Sequence, residues 1–170
     1  MESPGYLVVF VLNDQRYGLP LASVERIIRS VEVTPAPHLP EVVHGIINIR
    51  NVVTPVVNLR KRLGLPGKRV TLTDQFIILK TSGKLFAVVV DLVEGVIPWK
   101  QEQVVESQRK HPDSDCMATV VVQNGEMILV LDPKKMIPVV EEADLEMKRL
   151  ERKLGKKKPT PREKAVQGAT

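Results

Sequence analysis

Gly45-Ile-Ile-Asn-Ile-Arg50 and Val52-Val-Thr-Pro-Val-Val57 are the two segments that decide the fold. Each is a short run rich in β-branched residues, which favours a strand over a helix. The two runs follow each other almost directly, so the sequence predicts a β-hairpin. Asn58 can cap a short helix after the second strand, and Gly64 can end it. The local unit is therefore a hairpin followed by a capped, basic helical turn.

The same unit recurs later in the chain at an offset of 74 residues, and an earlier segment recurs at an offset of 69. Chance similarity between Val-rich strands is the alternative, but both matches occur in the same order, which favours a true repeat. The repeat predicts two small β-barrels of similar build, with a groove between them as a natural binding site. The matched residues are Val53, Val56, Val57, Asn58, Arg60, Lys61 and Leu63 with Met127, Val130, Leu131, Asp132, Lys134, Lys135 and Ile137, and Tyr17, Val24, Glu25, Ile27 and Ile28 with Phe86, Val93, Glu94, Val96 and Ile97.

Other short apolar runs bounded by turn residues complete an all-β pattern. A proline-rich stretch, residues 34–40, reads as a rigid connector, with a PxxP ligand as the alternative. From residue 141 to 154 the pattern becomes helical, and residues 100–115 read as a polar loop. The predicted strands are Tyr6 to Leu12, Arg16 to Pro20, Val24 to Val33, Gln75 to Leu79, Leu85 to Val90, Leu92 to Ile97, Met117 to Val122 and Met127 to Leu131.

Charge is unevenly distributed along the chain. The formal net charge is +5, but residues 148–170 hold 9 of the 25 Lys and Arg and only 2 of the 20 acidic residues. The tail is therefore +7 and residues 1–147 are −2, so the basic character belongs to an appendage. We expect a folded unit over residues 5–140 with two repeated subdomains, and a C-terminal helix with a basic, disordered tail over residues 141–170.

Residue types that carry catalysis or bind metals are not grouped in the sequence. The three histidines, His38, His44 and His111, form no metal-ligand spacing with each other or with Cys116, the single cysteine. No phosphate-binding glycine loop or nucleophile motif is present. Asp91 follows an apolar run, where a backbone hydrogen bond at a turn is a simpler role than catalysis. The sequence therefore offers no catalytic constellation and no sign of a cofactor or metal site.

The sequence also bears on the cellular location of the protein and on nucleic-acid binding. No apolar run reaches membrane length, and the single cysteine fits a reducing compartment, so we expect a cytoplasmic protein without membrane insertion. Small barrels can bind single-stranded nucleic acid through aromatic side chains. Here the aromatic residues lie mostly within apolar strands and are expected in the core. A nucleic-acid-binding β-barrel therefore ranks below a protein-binding module.

The ordered set of motifs resembles the CheW family of chemotaxis coupling proteins over about residues 5–140. The most specific part is Val43-x-Gly45-Ile-Ile-Asn48-Ile-Arg50, followed by Val53-x-Pro55-Val-Val-Asn58-Leu59-Arg60. Further matches are Tyr17-Gly-Leu-Pro-Leu21, Val88-x-Val90-Asp91-x-Val93-x-x-Val96 and Ile128-Leu-Val-Leu-Asp132. The resemblance implies two intertwined five-stranded SH3-like β-barrels that share a core, with short helices and a C-terminal helical and basic tail.

The resemblance also implies a function. CheW-like proteins are non-enzymatic scaffolds that bind the regulatory domain of the histidine kinase CheA and the cytoplasmic tip of chemoreceptors. The receptor tip is expected along the groove between the barrels. Three alternatives stay open: a CheW-like adaptor of a non-chemotaxis kinase pathway, a domain detached from a larger CheV-like or CheA-like protein, and the nucleic-acid-binding barrel.

Five residues are candidate contacts for receptor or kinase. The resemblance places Val24 and Val96 on the groove, and Gly45 and Arg50 at positions where the family is sensitive in coupling. The alternatives are core packing for the two valines, a backbone requirement for Gly45 and an internal ion pair for Arg50.

Two positions depart from the family pattern. Arg26, the fifth candidate contact, stands where many relatives carry a glutamate, which reverses a charge beside the expected contact surface. Asn51 stands where the family has glycine after the arginine. Because asparagine tolerates the left-handed backbone, we still expect the turn to form.

Overall fold

The computed structural model describes residues 5–105 and 116–154. Over these ranges the chain is mostly β-strand, with a helix at its C-terminal end, which confirms the predicted fold class. The strands are β1 Tyr6–Leu12, β2 Gln15–Pro20, β3 Val24–Arg29, β4 Val43–Ile49, β5 Val52–Val57, β6 Gln75–Thr81, β7 Lys84–Val90, β8 Leu92–Pro98, β9 Val104–Val105, β10 Met117–Gln123 and β11 Glu126–Leu131. The α-helices are α1 Leu59–Arg62 and α2 Ile137–Leu154, and 3-10 turns occupy Leu21–Ser23, Gln101–Gln103 and Pro133–Met136.

The strands form two sheets, and each sheet takes strands from both parts of the chain. Sheet A has the order β8-β1-β2-β11-β10-β9, and sheet B has the order β3-β6-β7-β5-β4. The pairs β2–β11 and β5–β7 are parallel, and the others are antiparallel. Sheet A thus has a sixth strand, the two-residue β9, beyond the five expected. The third strand of each hairpin unit crosses over: β3 follows β2 but pairs in sheet B, and β8 follows β7 but pairs in sheet A.

The strand pairings of sheet A match those of sheet B when residue numbers are shifted by the sequence offset of 69. In sheet A, Leu7 of β1 lies opposite Ile97 of β8, and in sheet B, Phe76 of β6 lies opposite Ile28 of β3. A shift of 69 residues converts one pair into the other. Both ladders also have a register shift at the equivalent place, so that Glu25 and Glu94 are the extra residues. These two ladders therefore share the same residue pairing and the same position of the register shift.

Alternating side chains of the central strands fill three hydrophobic clusters. Along β1, Val8 and Phe10 pack in a cluster shared by the two sheets, whereas Leu7 and Val9 pack in a cluster within sheet A. Strand β6 follows the same pattern on the other side: Ile77 and Leu79 pack in the shared cluster, and Phe76 and Ile78 pack in a cluster within sheet B. A strand that is buried on both faces needs apolar residues at every position. This requirement explains the unbroken apolar runs in the sequence.

Four tight hairpins connect neighbouring strands through two-residue turns in which both residues have positive φ. This geometry is the type I′ turn, whose twist matches that of the flanking strands. Asn51, with φ of 65°, adopts the left-handed conformation that glycine takes in the family pattern, so the expected turn forms. The four turns are Asn13-Asp14, Arg50-Asn51, Ser82-Gly83 and Asn124-Gly125.

The largest differences between predicted and observed element boundaries are at the end of β3 and at the start of α2. Strand β3 ends at Arg29 rather than Val33, and the following chain crosses to β4, where Thr34 and Ile46 exchange two backbone hydrogen bonds of 2.9 Å. Helix α2 begins at Ile137, four residues before the predicted start, because the capped turn Pro133–Met136 continues directly into it. The predicted boundary between residues 140 and 141 thus falls inside α2. The predicted polar loop over residues 100–115 contains the 3-10 turn Gln101–Gln103 and the short strand β9. Its remainder, residues 106–115, and the predicted disorder after 155 lie outside the described residues.

Candidate functional site

The five candidate residues all lie on outer strands of the sheets or on the turn that follows one. Val24 and Arg26 are on β3, Gly45 is on β4, and Val96 is on β8. Arg50 occupies the turn after β4. Since β3 and β4 are the two outer strands of sheet B and β8 is an outer strand of sheet A, the candidates lie at strand edges, of which the edge of β4 is covered by Thr34 at Ile46. An edge that is not covered is available for contacts with another protein.

The two candidate valines have different surroundings. Val24 is half-buried and packs against the shared cluster between the sheets. Val96 is 51% exposed and belongs to none of the hydrophobic clusters formed by the described residues. The structure thus supports a packing role for Val24, whereas Val96 offers an apolar side chain to solvent from an outer strand.

Ile27 on β3 is a contact candidate that sequence reasoning missed. It pairs with Ile77 as Val96 pairs with Val8, so Ile27 is the repeat counterpart of Val96. It is 39% exposed, which is unusual for an isoleucine in a strand. The signal was present in the sequence, because the offset of 69 aligns Ile27 with Val96.

Gly45 is required by the close approach of another segment. A Cβ atom at this position would lie 2.4 Å from the backbone oxygen of Thr34 and 2.9 Å from a methyl carbon of Val33. The first distance involves backbone, which cannot rotate away as a side chain can. The backbone requirement that was the alternative for Gly45 is therefore present in the structure.

Arg50 is the first residue of a type I′ turn, with φ of 48°, and its side chain is exposed. Among the residues that the structure describes, none forms a hydrogen bond or ion pair with its guanidinium group, so the internal ion pair considered as an alternative does not form there. The next residues, Val52 and Val53, are 48% and 44% exposed. We call Arg50, Val52 and Val53 the turn surface: an exposed cation and two exposed valines lie within four residues, and neither valine was proposed as a contact from the sequence.

Arg26 lies on β3 beside the register shift and opposite Ile78. Its side chain is partly buried and forms no ion pair with the rest of the described chain. The positive charge that departs from the family pattern is therefore not used to balance a neighbouring carboxylate within residues 5–105 and 116–154.

Asp91 is the centre of a charged network at the junction of the two sheets. Arg60, which follows β5, donates to both carboxylate oxygens at 2.9 Å, and the backbone N–H of Asn13, in the β1–β2 turn, donates at 2.9 Å. Lys68 lies 3.5 Å from Asp91 and 2.8 Å from Asp74. The carboxylate thus connects the β1–β2 turn of sheet A to α1, the helix that follows strand β5 of sheet B. Asp91 was expected to bond local backbone, but its partners Asn13 and Arg60 are distant in the sequence.

These contacts set the protonation state of the network. Burial by itself would raise the pKa of Asp91, but the hydrogen bonds from Arg60 and Asn13 and the charges of Arg60 and Lys68 outweigh burial and hold that pKa below its usual value. The hydrogen bond to Asp74 raises the pKa of Lys68. Burial lowers the pKa of the nearby His44, which favours a neutral imidazole. Asp91 and Lys68 are therefore charged around neutral pH, and we call the contacts around Asp91 the charged clasp between the sheets.

Two further properties concern the described residues only. No three His, Cys, Asp or Glu side chains there are grouped closely enough to hold a metal ion. None of the helices found there is long and apolar enough to cross a membrane.

The two sheets exchange strands around a common core and expose apolar side chains on their outer strands. This arrangement defines the class of interlocked double-sheet β-scaffolds. A model of the CheW-like domain matches residues 6–141, which includes every strand of both sheets. The chain therefore belongs to the CheW-like family.

Individual relatives agree with this assignment. The chain is 29% identical to a chemotaxis protein CheW of Treponema pallidum, with 76% of this chain and 80% of the relative covered. It is 27% identical to a chemotaxis protein CheW of Bacillus subtilis, with 77% and 85% covered. The solved structure of the scaffolding protein TtCheW from Thermoanaerobacter tengcongensis superimposes with a TM-score of 0.70 at 28% identity, covering 76% of this chain and 89% of that one.

Proposed function

We propose that this chain is a non-enzymatic coupling protein that holds chemoreceptors and the histidine kinase CheA in one cytoplasmic complex. The observation that carries the proposal is the family match, which spans the whole double-sheet unit rather than one motif. Relatives similar over most of their length are named chemotaxis proteins, and a solved neighbour is named a scaffolding protein.

The mechanism is thermodynamic linkage between two binding surfaces. A scaffold that binds the kinase on one surface and a receptor tip on another biases the kinase only as far as its affinities differ between kinase states. We assign the receptor tip to the exposed apolar side chains of β3 and β8, where Ile27 and Val96 supply hydrophobic contact. We assign the turn surface to coupling, because exposed cationic and apolar side chains together provide both orientation and affinity.

Arg50 supports this assignment through its backbone conformation. A non-glycine residue in the left-handed region costs about 1–2 kcal/mol. The first positions of the other three turns are Asn13, Ser82 and Asn124, of which the two asparagines tolerate that region well. An arginine here is conformationally unfavourable and has no compensating contact within the described chain. Strain of this kind is typical of residues kept for a contact with another molecule.

Calorimetric titration of the Arg50→Asn variant tests the proposal. Asparagine keeps the turn and removes the cation, so we expect about tenfold weaker binding to the kinase regulatory domain or to the receptor-tip peptide. We also expect a gain in unfolding free energy of about 1 kcal/mol, because asparagine adopts the left-handed conformation more easily.

Ser82→Asn is the matched control, since Ser82 occupies the same turn position in the β6–β7 hairpin. It should gain similar stability and bind both partners as the wild type does. If Arg50→Asn also binds like the wild type, the turn surface is not a coupling contact. If the wild type binds neither partner, the coupling function itself is wrong.

A second candidate is the same adaptor role in a kinase pathway other than chemotaxis. Arg26 favours it, because the unpaired cation on β3 would meet a receptor surface evolved for a carboxylate. Titration of the wild type and Arg26→Glu against the chemotaxis receptor tip separates the two. Tighter binding by Arg26→Glu supports the second candidate, and weaker binding supports the chemotaxis partner.

A further inference from the structure

Leu72 lies in the connection between α1 and β6, and its side chain is 91% exposed. Single exposed apolar residues are common on protein surfaces, but most of them keep a large part of their side chain covered. The exposed fraction of Leu72 is the largest among the large hydrophobic side chains of the described chain. The side chain therefore projects from the surface instead of lying on it.

The connection that carries Leu72 is held firmly at its base. The carboxylate of Asp74, only 3% exposed, accepts the Thr71 backbone N–H at 2.7 Å and the Lys68 ammonium at 2.8 Å. The backbone N–H of Ser30 donates to the backbone oxygen of Asp74 at 3.1 Å, which ties the connection to the end of β3. Hydrogen bonds on both sides of Leu72 thus fix its position before any partner binds. Such pre-organisation lowers the entropy lost on binding.

The surroundings of Leu72 are apolar and cationic. Val31, which follows Ser30, is 42% exposed. Arg29 and Arg69, on the two segments that meet at Asp74, are exposed and form no ion pair with other described residues. Glu32 is the only acidic residue of the segments 29–32 and 65–73, so the surface has net positive charge. A complementary partner would present an apolar pocket with carboxylates at its rim.

We propose that Leu72 is an anchor that inserts into an apolar, acid-rimmed pocket of the kinase regulatory domain. The inference rests on the proposed coupling function and names a contact of the kinase partner. A single projecting side chain needs a concave receiver, which a folded domain provides. The receptor tip is assigned to the apolar residues of β3 and β8 instead. Arg29 and Arg69 face the rim and speed association at low salt.

Calorimetric titration of Leu72→Ser against the kinase regulatory domain and against the receptor-tip peptide tests the anchor. We expect kinase affinity to fall at least about tenfold, as for other central apolar anchors, with receptor affinity and melting temperature unchanged. Leu145→Ser is the matched control, because Leu145 is 60% exposed on α2. It should bind both partners within about twofold of the wild type.

Each other outcome overturns a definite statement. Kinase binding by Leu72→Ser equal to the wild type, or equal loss in both leucine variants, overturns the anchor. Loss confined to the receptor-tip peptide overturns the kinase as its partner. A wild type that does not bind the kinase domain overturns the proposed function together with this inference.

Discussion

Gly45 and Arg50 lie five positions apart in one hairpin, and the backbone constrains them for different reasons. At Gly45 the constraint is space, since the backbone of Thr34 occupies the volume that a side chain would need. At Arg50 the constraint is the left-handed conformation, which an arginine satisfies at a cost in energy. Sensitivity to mutation at these two positions therefore has different meanings: protein stability at Gly45 and, under the proposed function, partner contact at Arg50.

Gly45→Ala should lower the free energy of unfolding by about 1–3 kcal/mol, because the new methyl group displaces the segment that carries Thr34. Gly95→Ala is the control: Gly95 has nearly the same φ, 152° against 154°, but a methyl group added there would meet no described heavy atom within 4 Å. Urea denaturation of both variants separates the clash from the backbone strain. Equal losses in the two variants would show that the approach of Thr34 is not what requires glycine.

Residue identity alone could not separate the two candidate valines. Val24 and Val96 are both valines in predicted strands, and valine in a strand is usually buried. Their exposure depends on which neighbours lie beside β3 and β8, and this is decided by the exchange of those strands between the sheets. The turn at Asn51, in contrast, could be predicted, because left-handed tolerance is a property of the residue itself.

Among the elements, the hairpins and the capped turns were the most predictable. Asn58 accepts the Lys61 backbone N–H at 3.1 Å, and Asp132 accepts the Lys134 backbone N–H at 3.0 Å, as their positions before basic turns suggest. The start of α2 was missed, because Pro138 and the β-branched residues after it obscure a helical pattern. Proline is acceptable there in the first turn of a helix, where its missing N–H has no acceptor.

The charged clasp around Asp91 predicts a dependence of stability on pH. The pKa of Asp91 is lower in the folded chain than the value of about 3.9 in the unfolded chain, so its contribution is complete above that value. The contribution is lost as the pH falls through the folded-state pKa. We expect Asp91→Asn to cost about 1 kcal/mol at pH 6, allowing for partial solvent exposure.

Urea denaturation at pH 6, 4 and 3 measures the free energy of unfolding of the wild type and of Asp91→Asn. The difference between the two values should narrow only at the lowest pH. Asp14→Asn is a suitable control, since Asp14 is an exposed turn residue where asparagine also tolerates positive φ. Its effect should be small at every pH. If the difference in free energy of unfolding between wild type and Asp91→Asn stays constant down to pH 3, the charge of Asp91 does not stabilise the junction of the two sheets.

At the scale of the whole molecule, the shared cluster makes the two sheets one cooperative unit. Calorimetry should show a single transition whose calorimetric and van't Hoff enthalpies agree. Fragments 1–72 and 73–170 should each be unfolded alone, because either cut leaves strands of both sheets without partners. Circular dichroism of the fragments checks this. Two resolved transitions, or one folded fragment, would contradict the shared core as the basis of stability.

The repeat in the sequence indicated two similar units, but not that they exchange strands. Each hairpin could have paired with the strand that follows it, as consecutive strands usually do. The intertwined arrangement was expected from the family resemblance alone. The choice between local and exchanged pairing depends on the geometry of Leu21–Ser23 and of the β7–β8 corner, which short turn sequences do not determine.

A single repeat of this kind would complete its sheet only by exchanging its first hairpin with that of a second copy, as domain-swapped dimers do. The present chain is such a dimer in one polypeptide, with its two repeats tethered by residues 63–74. Tethering makes the second repeat available at an effective concentration that does not depend on protein abundance. Assembly of the two sheets is therefore independent of dilution, because both repeats belong to one chain.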